Sequence, residues 1–347
     1  MNSFRTPAAL AAFGLAGVLL AGCASSPSTA ASGDASPTAA SALEAATITL
    51  YTSEPQEKAD ALVEAFNQVH PEVTVEVFRA GTGDLTTRVA TEQASGGVQA
   101  DVFLAADAGT FEDYAADELL LQYSPADVES LNQDIVDPEG YYTGTRIIPT
   151  VIAYNTGLVT EPPTSWAELT DAEYANKLVM PNPDVSGAAA YNAAVWLDEP
   201  ALGEEWLTKL AANKPVIADS NGPVSQAIAT GAQPVGIVVD YLARELAAQG
   251  SPIAVSYPTE GVPYVSQPVG IFANTEEADA SKAFVDFLVS AEGQELAVSQ
   301  SYLPVREDVG TPEGAPSMDE ITILSPELET IRASQDAAVE KFRTLFL

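Results

Sequence analysis

Four short turns of small polar residues are the places where this chain is best suited to bind an anion. They are Ser53-Glu54, Gly81-Thr82-Gly83, Ser186-Gly187 and Ser220-Asn221-Gly222. Each turn follows a strand-like run and precedes a helix-like run, so backbone N–H groups and the positive end of a helix dipole meet there. N-capping is the simpler explanation of any single turn, because Ser, Asn and Gly are good N-cap residues. Their recurrence in both halves of the chain favours a binding cleft.

The chain lacks the parts of the common catalytic and metal sites. His70 is its one histidine and Cys23 its one cysteine, so a Ser–His–Asp or Cys–His arrangement is not expected. No HExxH, CxxC, Walker A or GxGxxG motif occurs. A pair of carboxylates for glycoside hydrolysis remains an alternative, because the chain has 49 acidic residues, although the sequence singles out no pair. We expect no enzyme, and a hydrolase or lyase with a carboxylate base is the alternative.

The polar turns belong to a repeated strand–turn–helix pattern. The strand-like runs of the first half are residues 47–51, 73–78 and 100–105. Those of the second half are residues 177–180, 214–218, 235–239 and 253–257. Strands that alternate with amphipathic helices predict open, mostly parallel sheets covered by helices on both faces. The predicted fold class is α/β, with two doubly wound lobes.

Two extended passages, at 147–155 and 264–273, flank the second set of elements. They are the natural places for the chain to cross between the lobes and return. A chain of 347 residues is also longer than one core usually serves. The predicted divisions are lobe 1 at 46–149 and 265–320, and lobe 2 at 150–264 and 321–347.

The overall charge excludes one class of partner. The chain has 14 basic and 49 acidic side chains, which gives a formal net charge of −35. Nucleic-acid binding needs clustered Lys and Arg for phosphate contacts, so we expect none here. Such a surface keeps a protein soluble, and it can also favour a cationic ligand. Hydrophobic residues make up 46% of the chain, which is ample for a folded core.

The beginning of the chain has the pattern of a signal peptide. Residues 1–22 carry Arg5 and then an apolar stretch of h-region length, too short to cross a membrane as a helix. The stretch ends at Leu20-Ala21-Gly22-Cys23, which resembles a bacterial lipobox; a buried cysteine in an ordinary helix is the alternative. Residues 23–45 are rich in Ser, Ala, Thr and Pro and predict a flexible tether. We expect lipidated Cys23 to anchor the protein to a membrane outside the cytoplasm, in a periplasm or on the outer face.

Six runs, in this order and spacing, resemble the extracellular solute-binding proteins of ABC importers, specifically the ferric-iron and phosphonate-type family. The runs are ITLYTS at 48–53, ADVFLAAD at 100–107, KLVMPNP at 177–183, VGIVVDY at 235–241, EGVP at 260–263 and YLPVR at 302–306. The resemblance implies a periplasmic-binding-protein-like fold of type II, whose lobes are joined by a two-stranded hinge and close on a small solute by a hinge motion. It also implies delivery of that solute to a membrane permease. We expect a monomer.

Ferric-binding members of that family hold iron through a His or Tyr, a Glu and an adjacent Tyr-Tyr pair, which suits the preference of Fe³⁺ for hard oxygen donors. The matching positions here hold Glu54 beside Pro55, then Asp107, and the pair Asp240-Tyr241. Only Tyr241 keeps the residue type of the family. Glu54, Asp107 and Asp240 can substitute as oxygen donors, so ferric iron stays as the alternative solute.

Other members of the family bind organic phosphates, phosphonates or related solutes. For these the resemblance implies that backbone N–H groups and hydroxyls at five positions hold the anion. Those positions are Ser53, Thr82, Ser186, Gly187 and Asn221. Glu54, Asp107 and Asp240 then receive an amine or sugar hydroxyls. We therefore predict a lipoprotein receptor for a small organic phosphate, phosphonate or zwitterion, with no cofactor of its own.

Overall fold

The computed structural model describes residues 43–317, 320–324 and 326–347. The predicted signal peptide, the lipidation site at Cys23 and the tether up to residue 42 lie outside the described residues. Residues 43–347 fold as one compact unit. No α-helix in the described ranges is long and apolar enough to cross a membrane.

Strands and helices alternate along most of the described chain. The strands are β1 (Ala46–Thr52), β2 (Val73–Arg79), β3 (Val102–Leu104), β4 (Tyr142–Gly144), β5 (Ile148–Asn155), β6 (Leu178–Pro181), β7 (Val216–Ala218), β8 (Val235–Val239), β9 (Ile253–Ser256), β10 (Tyr264–Val265) and β11 (Pro268–Ile271). The α-helices are α1 (Gln56–Val69), α2 (Thr82–Ala94), α3 (Ala108–Ala116), α4 (Gly187–Asp198), α5 (Gly203–Ala212), α6 (Asn221–Ala229), α7 (Asp240–Ala248), α8 (Ala278–Val289), α9 (Ala291–Ser299) and α10 (Leu328–Phe346).

Lobe 1 is built on a five-stranded sheet with the order β2-β1-β3-β11-β4. Strand β1 runs parallel to β2 and β3, whereas β11 runs antiparallel to β3 and β4. Helices α1, α2, α3 and α8 pack on this sheet, and α9 packs on α1 and α8. The sheet is therefore mixed, and the expectation of a mostly parallel sheet is wrong for β11, because that strand returns from lobe 2 in the opposite direction.

Lobe 2 is built on a second sheet with the order β10-β5-β8-β6-β7, and β9 also pairs with β5. Strands β6, β7 and β8 are parallel, whereas β5 runs antiparallel to β8, β9 and β10. Helices α4, α6 and α7 pack against its strands, and α5 packs on α4. Helix α10 lies on α4 and α5 and also contacts α3 of lobe 1.

Two adjacent segments connect the lobes. The chain leaves β4 and enters β5, and it returns from β10 into β11. Val265 pairs with Ile148 in lobe 2, Pro268 pairs with Gly144 in lobe 1, and between them the Thr145 hydroxyl donates to the carbonyl of Gln267 at 2.7 Å. This is the two-stranded hinge that the family resemblance implies, and it lies at the crossings that the extended passages predict.

Each lobe has its own apolar core. In lobe 1, Leu62 and Phe66 of α1 are buried, as the helical spacing predicts, and Phe66 makes an edge contact with Phe284. In lobe 2, the three tryptophans of the chain form one cluster, in which Trp166 lies at right angles to Trp206 and close to Trp196. Rigid lobes joined by a narrow hinge can move relative to each other as bodies.

Candidate functional site

A cavity of about 690 Å³ lies between the two lobes, beside the hinge. Lobe 1 contributes Ser53, Glu54, Pro55, Arg79, Gly81, Thr82, Asp84 and Ala106. Lobe 2 contributes Ile148, Ser186, Gly187, Asp219, Ser220, Asn221, Val239 and Tyr241, and the hinge contributes Val265 and Gln267. A second hollow of about 640 Å³ runs along α1 and β2, but lobe 1 alone lines it. The cavity between the lobes is the better candidate, because a solute held there contacts both moving bodies.

Five helices begin at this cavity. Helices α1 and α2 start at it from lobe 1, and α4, α6 and α7 start at it from lobe 2. The first N–H groups of a helix have no partner inside the helix, and the helix dipole places a partial positive charge there. The strand–turn–helix pattern therefore concentrates hydrogen-bond donors from both lobes around one space, which suits an anion.

Two buried polar atoms of the cavity wall have no hydrogen-bond partner among the residues that the structure describes. Thr82 at the start of α2 is 3% exposed and its Oγ1 is unpaired, and Gln267 of the hinge is equally buried with an unpaired Oε1. Gln267 also has a positive φ of 42°, a backbone conformation that is costly for a residue other than glycine. Buried polar atoms normally have a partner, so both atoms are available for a hydrogen bond with a group that enters the cavity.

A small hydrogen-bond network joins the starts of α4, α6 and α7. Asn221 donates its side-chain amide to Ser186 Oγ at 3.1 Å and accepts from the Val239 N–H at 3.2 Å. Ser186 Oγ also accepts from the Ala189 N–H and caps α4. The Asn221 side chain therefore positions its neighbours, whereas the Ser186 hydroxyl keeps its own proton to donate. The Ser53 N–H donates to the carbonyl of Leu104, so the hydroxyl is the group of Ser53 that can still hydrogen-bond to a solute.

Three charged side chains at the cavity are exposed at least in part. Arg79, at the end of β2, donates its Nε–H to the carbonyl of Glu54 at 3.0 Å, which leaves the outer guanidinium nitrogens for an anion. Asp84 of α2 and Asp219 before α6 line the cavity as exposed carboxylates, one from each lobe. The wall thus combines donors for an anion with acceptors for an ammonium or hydroxyl group.

Glu54 lies at the inner end of the cavity in a buried ion pair. Its Oε1 is 3.1 Å from Arg146 Nη1, and both side chains are almost fully buried. The Tyr302 hydroxyl donates to the same carboxylate at 3.0 Å, and the Arg146 guanidinium lies over the Tyr302 ring. Glu54 therefore lines the cavity as predicted, but its charge is already balanced by a residue of the chain itself.

Tyr241 lines the cavity and packs on Tyr302, with ring centroids 4.4 Å apart. The ammonium of Lys58 lies over both rings and also pairs with Glu245 of α7 at 2.5 Å, so it joins the two lobes. Burial raises the pKa of Tyr241, and the nearby Glu54 carboxylate raises it further. The phenol is accordingly neutral unless a bound cation lowers that pKa.

Asp107 and Asp240 do not line the cavity, contrary to expectation. Asp107 is 2% exposed and caps α3 by accepting from the Thr110 N–H at 3.0 Å. Asp240 is 1% exposed and pairs with Arg244 on the next turn of α7. Burial raises the pKa of both carboxyl groups. Both positions follow a strand, as the sequence indicates, but other side chains of the protein engage the two carboxylates. Gln335 of α10 also donates to Asp107, at 3.4 Å.

The four residues considered for iron are therefore not brought together. Tyr241 and Glu54 reach the cavity, while Asp107 and Asp240 are held elsewhere by Thr110 and Arg244. Across the described ranges, no three His, Cys, Asp or Glu side chains are grouped closely enough to hold a metal ion. A ferric ion in this cavity would need a ligand set other than the predicted one.

Sequence reasoning missed several residues of the site. Arg79 ends a predicted strand opposite the Ser53 turn, and that position is the signal that could have found it. Gln267 lies inside a predicted crossing between the lobes, where an uncharged polar residue in an apolar passage was the available sign. Arg146 and Tyr302 reach Glu54 from distant parts of the chain, and no local pattern indicates that contact.

A sequence profile of the family described as bacterial extracellular solute-binding protein matches residues 99–325. This chain belongs to that family. It is 27% identical over 280 residues to a putative 2-aminoethylphosphonate-binding periplasmic protein of Salmonella typhimurium, which covers 76% of this chain and 77% of the relative. It is also 27% identical over 258 residues to a probable ABC transporter periplasmic-binding protein of Sinorhizobium fredii, which covers 71% and 70% of the two chains.

Solved structures of periplasmic binding proteins have the same fold as this solute-binding protein. The fructose-6-phosphate-bound protein AfuA of Actinobacillus pleuropneumoniae superposes with a TM-score of 0.79 at 21% identity, over 87% of this chain and 98% of that one. Iron-bound HitA of Pseudomonas aeruginosa superposes with a TM-score of 0.78 at 20% identity, over 87% and 100%. The predicted α/β architecture of two lobes and a hinge is thereby confirmed. The family is extracellular or periplasmic, and its members are binding proteins associated with transport.

Proposed function

We propose that this solute-binding protein is the receptor of an ABC importer and that its solute is a small organic phosphate or phosphonate. The observation that carries the proposal is the meeting of five helix starts from both lobes at one cavity. The unpaired Thr82 hydroxyl and the guanidinium of Arg79 add donors to the same wall. A phosphoryl group has several acceptor oxygens and a negative charge, and it is the ligand that such a wall fits best.

The rest of the solute is polar and carries hydroxyl or ammonium groups. Asp84 and Asp219 face the cavity as carboxylates without a basic partner among the described side chains, and they take the place of Asp107 and Asp240 as acceptors. Two relatives support this class, because one is named for 2-aminoethylphosphonate binding and the other holds fructose 6-phosphate.

Binding is a closure of the two lobes, and the protein makes or breaks no bond in the solute. Contacts made with both lobes at once supply the free energy that favours the closed state. We further propose that lipidated Cys23 holds a monomeric receptor at the outer face of a membrane or in a periplasm. From there it passes the solute to a permease, as the probable ABC transporter relative suggests.

A titration of the purified protein tests the solute class. Isothermal calorimetry with 2-aminoethylphosphonate, fructose 6-phosphate, inorganic phosphate and ferric citrate should give binding for an organic phosphate or phosphonate. Replacing Thr82 by Val should weaken that binding without loss of fold. If no phosphorus compound binds and ferric citrate does, the proposal is wrong.

Ferric iron is the second candidate, and one observation favours it. Tyr241, Tyr302 and Glu54 present phenol and carboxylate oxygens in one buried group. The ammonium of Lys58 and the guanidinium of Arg146 lie against the same rings and would repel a trivalent cation. A visible absorbance band of an iron phenolate in protein purified from its host would reverse this ranking.

A further inference from the structure

Another cavity, of about 410 Å³, lies beside the hinge and is bounded by both lobes and by the start of α10; it is called the hinge cavity below. Val265 borders this cavity and the solute cavity, so the two are neighbours across β10. Its size is within the range of small-molecule sites, roughly 300–1,000 Å³. None of the site residues predicted from the sequence lines this cavity.

Three tyrosines and three carboxylates form much of its wall. The tyrosines are Tyr142, Tyr191 and Tyr264, and the carboxylates are Glu112, Asp134 and Glu327. No lysine, arginine or histidine of the described ranges lines it. Burial raises the pKa of all three phenols, so the rings are neutral and the negative charge of the wall belongs to the carboxylates.

Several polar groups of the wall can form further hydrogen bonds. Tyr142 donates to Glu112 at 2.5 Å, which leaves the other Glu112 oxygen available. Tyr191 and Tyr264 both line the cavity, and neither hydroxyl makes a hydrogen bond within the described part of the chain. Asp134 is close enough to Tyr264 to raise its pKa in addition to burial.

We propose that this hinge cavity binds a small organic cation, an alkylammonium or quaternary ammonium group. Neutral aromatic rings attract a cation through their electron-rich faces, and the carboxylates supply the balancing charge. Tyr191 belongs to lobe 2 and Glu112 to lobe 1, so an occupant contacts both lobes beside the hinge. The inference does not depend on which solute the larger cavity holds.

The test is a calorimetric titration of the purified protein with tetramethylammonium chloride at constant ionic strength. The uncharged 2,2-dimethyl-1-propanol, which has a similar shape, is the matched probe. Tetramethylammonium should bind and the alcohol should not. Tyr191→Leu and Tyr264→Leu should each weaken binding roughly fivefold or more, and Tyr191→Phe, which keeps the ring, should bind as the parent does.

Glu112→Gln should also weaken binding, whereas Glu295→Gln removes an exposed charge on α9 and should not. Thermal melting of each variant shows whether it is folded, and the Phe variant and Tyr264→Leu keep the test valid if Tyr191→Leu does not fold. Equal heats from the charged and uncharged probes, or an equal effect of Glu295→Gln, would overturn the proposal. So would the absence of any tetramethylammonium binding.

Discussion

Gly187 and Thr82 meet across the gap between the lobes. A Cβ atom on Gly187 would lie 2.8 Å from Thr82 Oγ1 and 2.9 Å from Thr82 Cβ. Gly81 and Gly83 approach the backbone of Val185 and Asp184 from the other side in the same way. The lobes can come this close only because the first turns of α2 and α4 carry glycine at the contact.

Replacing Gly187 by Ala should therefore weaken solute binding. The added methyl group overpacks the contact, which typically costs about 1–3 kcal/mol, so we expect the affinity to fall by roughly 5- to 150-fold. Calorimetry with the compound that binds in the titration described under Proposed function measures the change in affinity. Gly310→Ala adds the same methyl in open space and is the control. Unchanged affinity in the Gly187 variant would mean that closure does not bring these residues together.

Replacing Thr82 by Val should separate stability from binding. The Thr82 hydroxyl is buried without a partner in the described part of the protein, so its loss should leave the free energy of unfolding unchanged or slightly higher. Solute affinity should fall roughly tenfold, because a buried hydrogen bond to a charged group is lost. Thr82→Ser keeps the hydroxyl and should retain most of the affinity. A Val variant that is less stable but binds normally would contradict this role.

Replacing Arg146 by Met should strongly destabilise the protein. The change leaves the Glu54 carboxylate buried without its cation, and breaking a buried ion pair typically costs about 3–5 kcal/mol. The double variant Glu54→Gln, Arg146→Met removes both charges and should recover much of that loss. Urea unfolding of the two single variants and the double variant measures the coupling. Additive losses would argue against a direct pair.

Replacing Asp107 by Asn should stabilise the protein more at about pH 7 than at about pH 4. Burial raises the pKa of Asp107 in the fold above its unfolded value, so its contribution to stability is present below the unfolded pKa and is lost as pH rises through the folded pKa. Asparagine keeps an oxygen to cap Thr110 and has no charge to bury. Urea unfolding at both pH values gives the difference. A gain that is the same at both would contradict the pKa shift.

Asp107→Ala is the companion variant. It removes the buried charge and also the acceptor for the Thr110 N–H, so it should lose about 1 kcal/mol of capping that the Asn variant keeps.

Local patterns in the sequence were enough to predict the fold class and the polar turns that form part of the cavity wall. Strand-like runs, polar turns and amphipathic helices are short-range features, and they correctly indicated that Thr82, Ser186 and Gly187 lie at helix starts. In α/β sheets these starts gather where the strands end, so the repeated pattern favours a binding cleft at that edge. The hinge was also visible, as two extended passages on either side of the second lobe.

Only the tertiary structure decided which side chains are free to meet a solute. Asp240 and Asp107 follow strands just as Glu54 does. Arg244 engages Asp240, whereas Thr110 and Gln335 engage Asp107. Glu54 faces the cavity with its charge balanced by Arg146, which is distant in the sequence. Residue type and spacing determine where a helix begins. Whether a carboxylate there is paired or available depends on partners that packing brings from elsewhere in the chain.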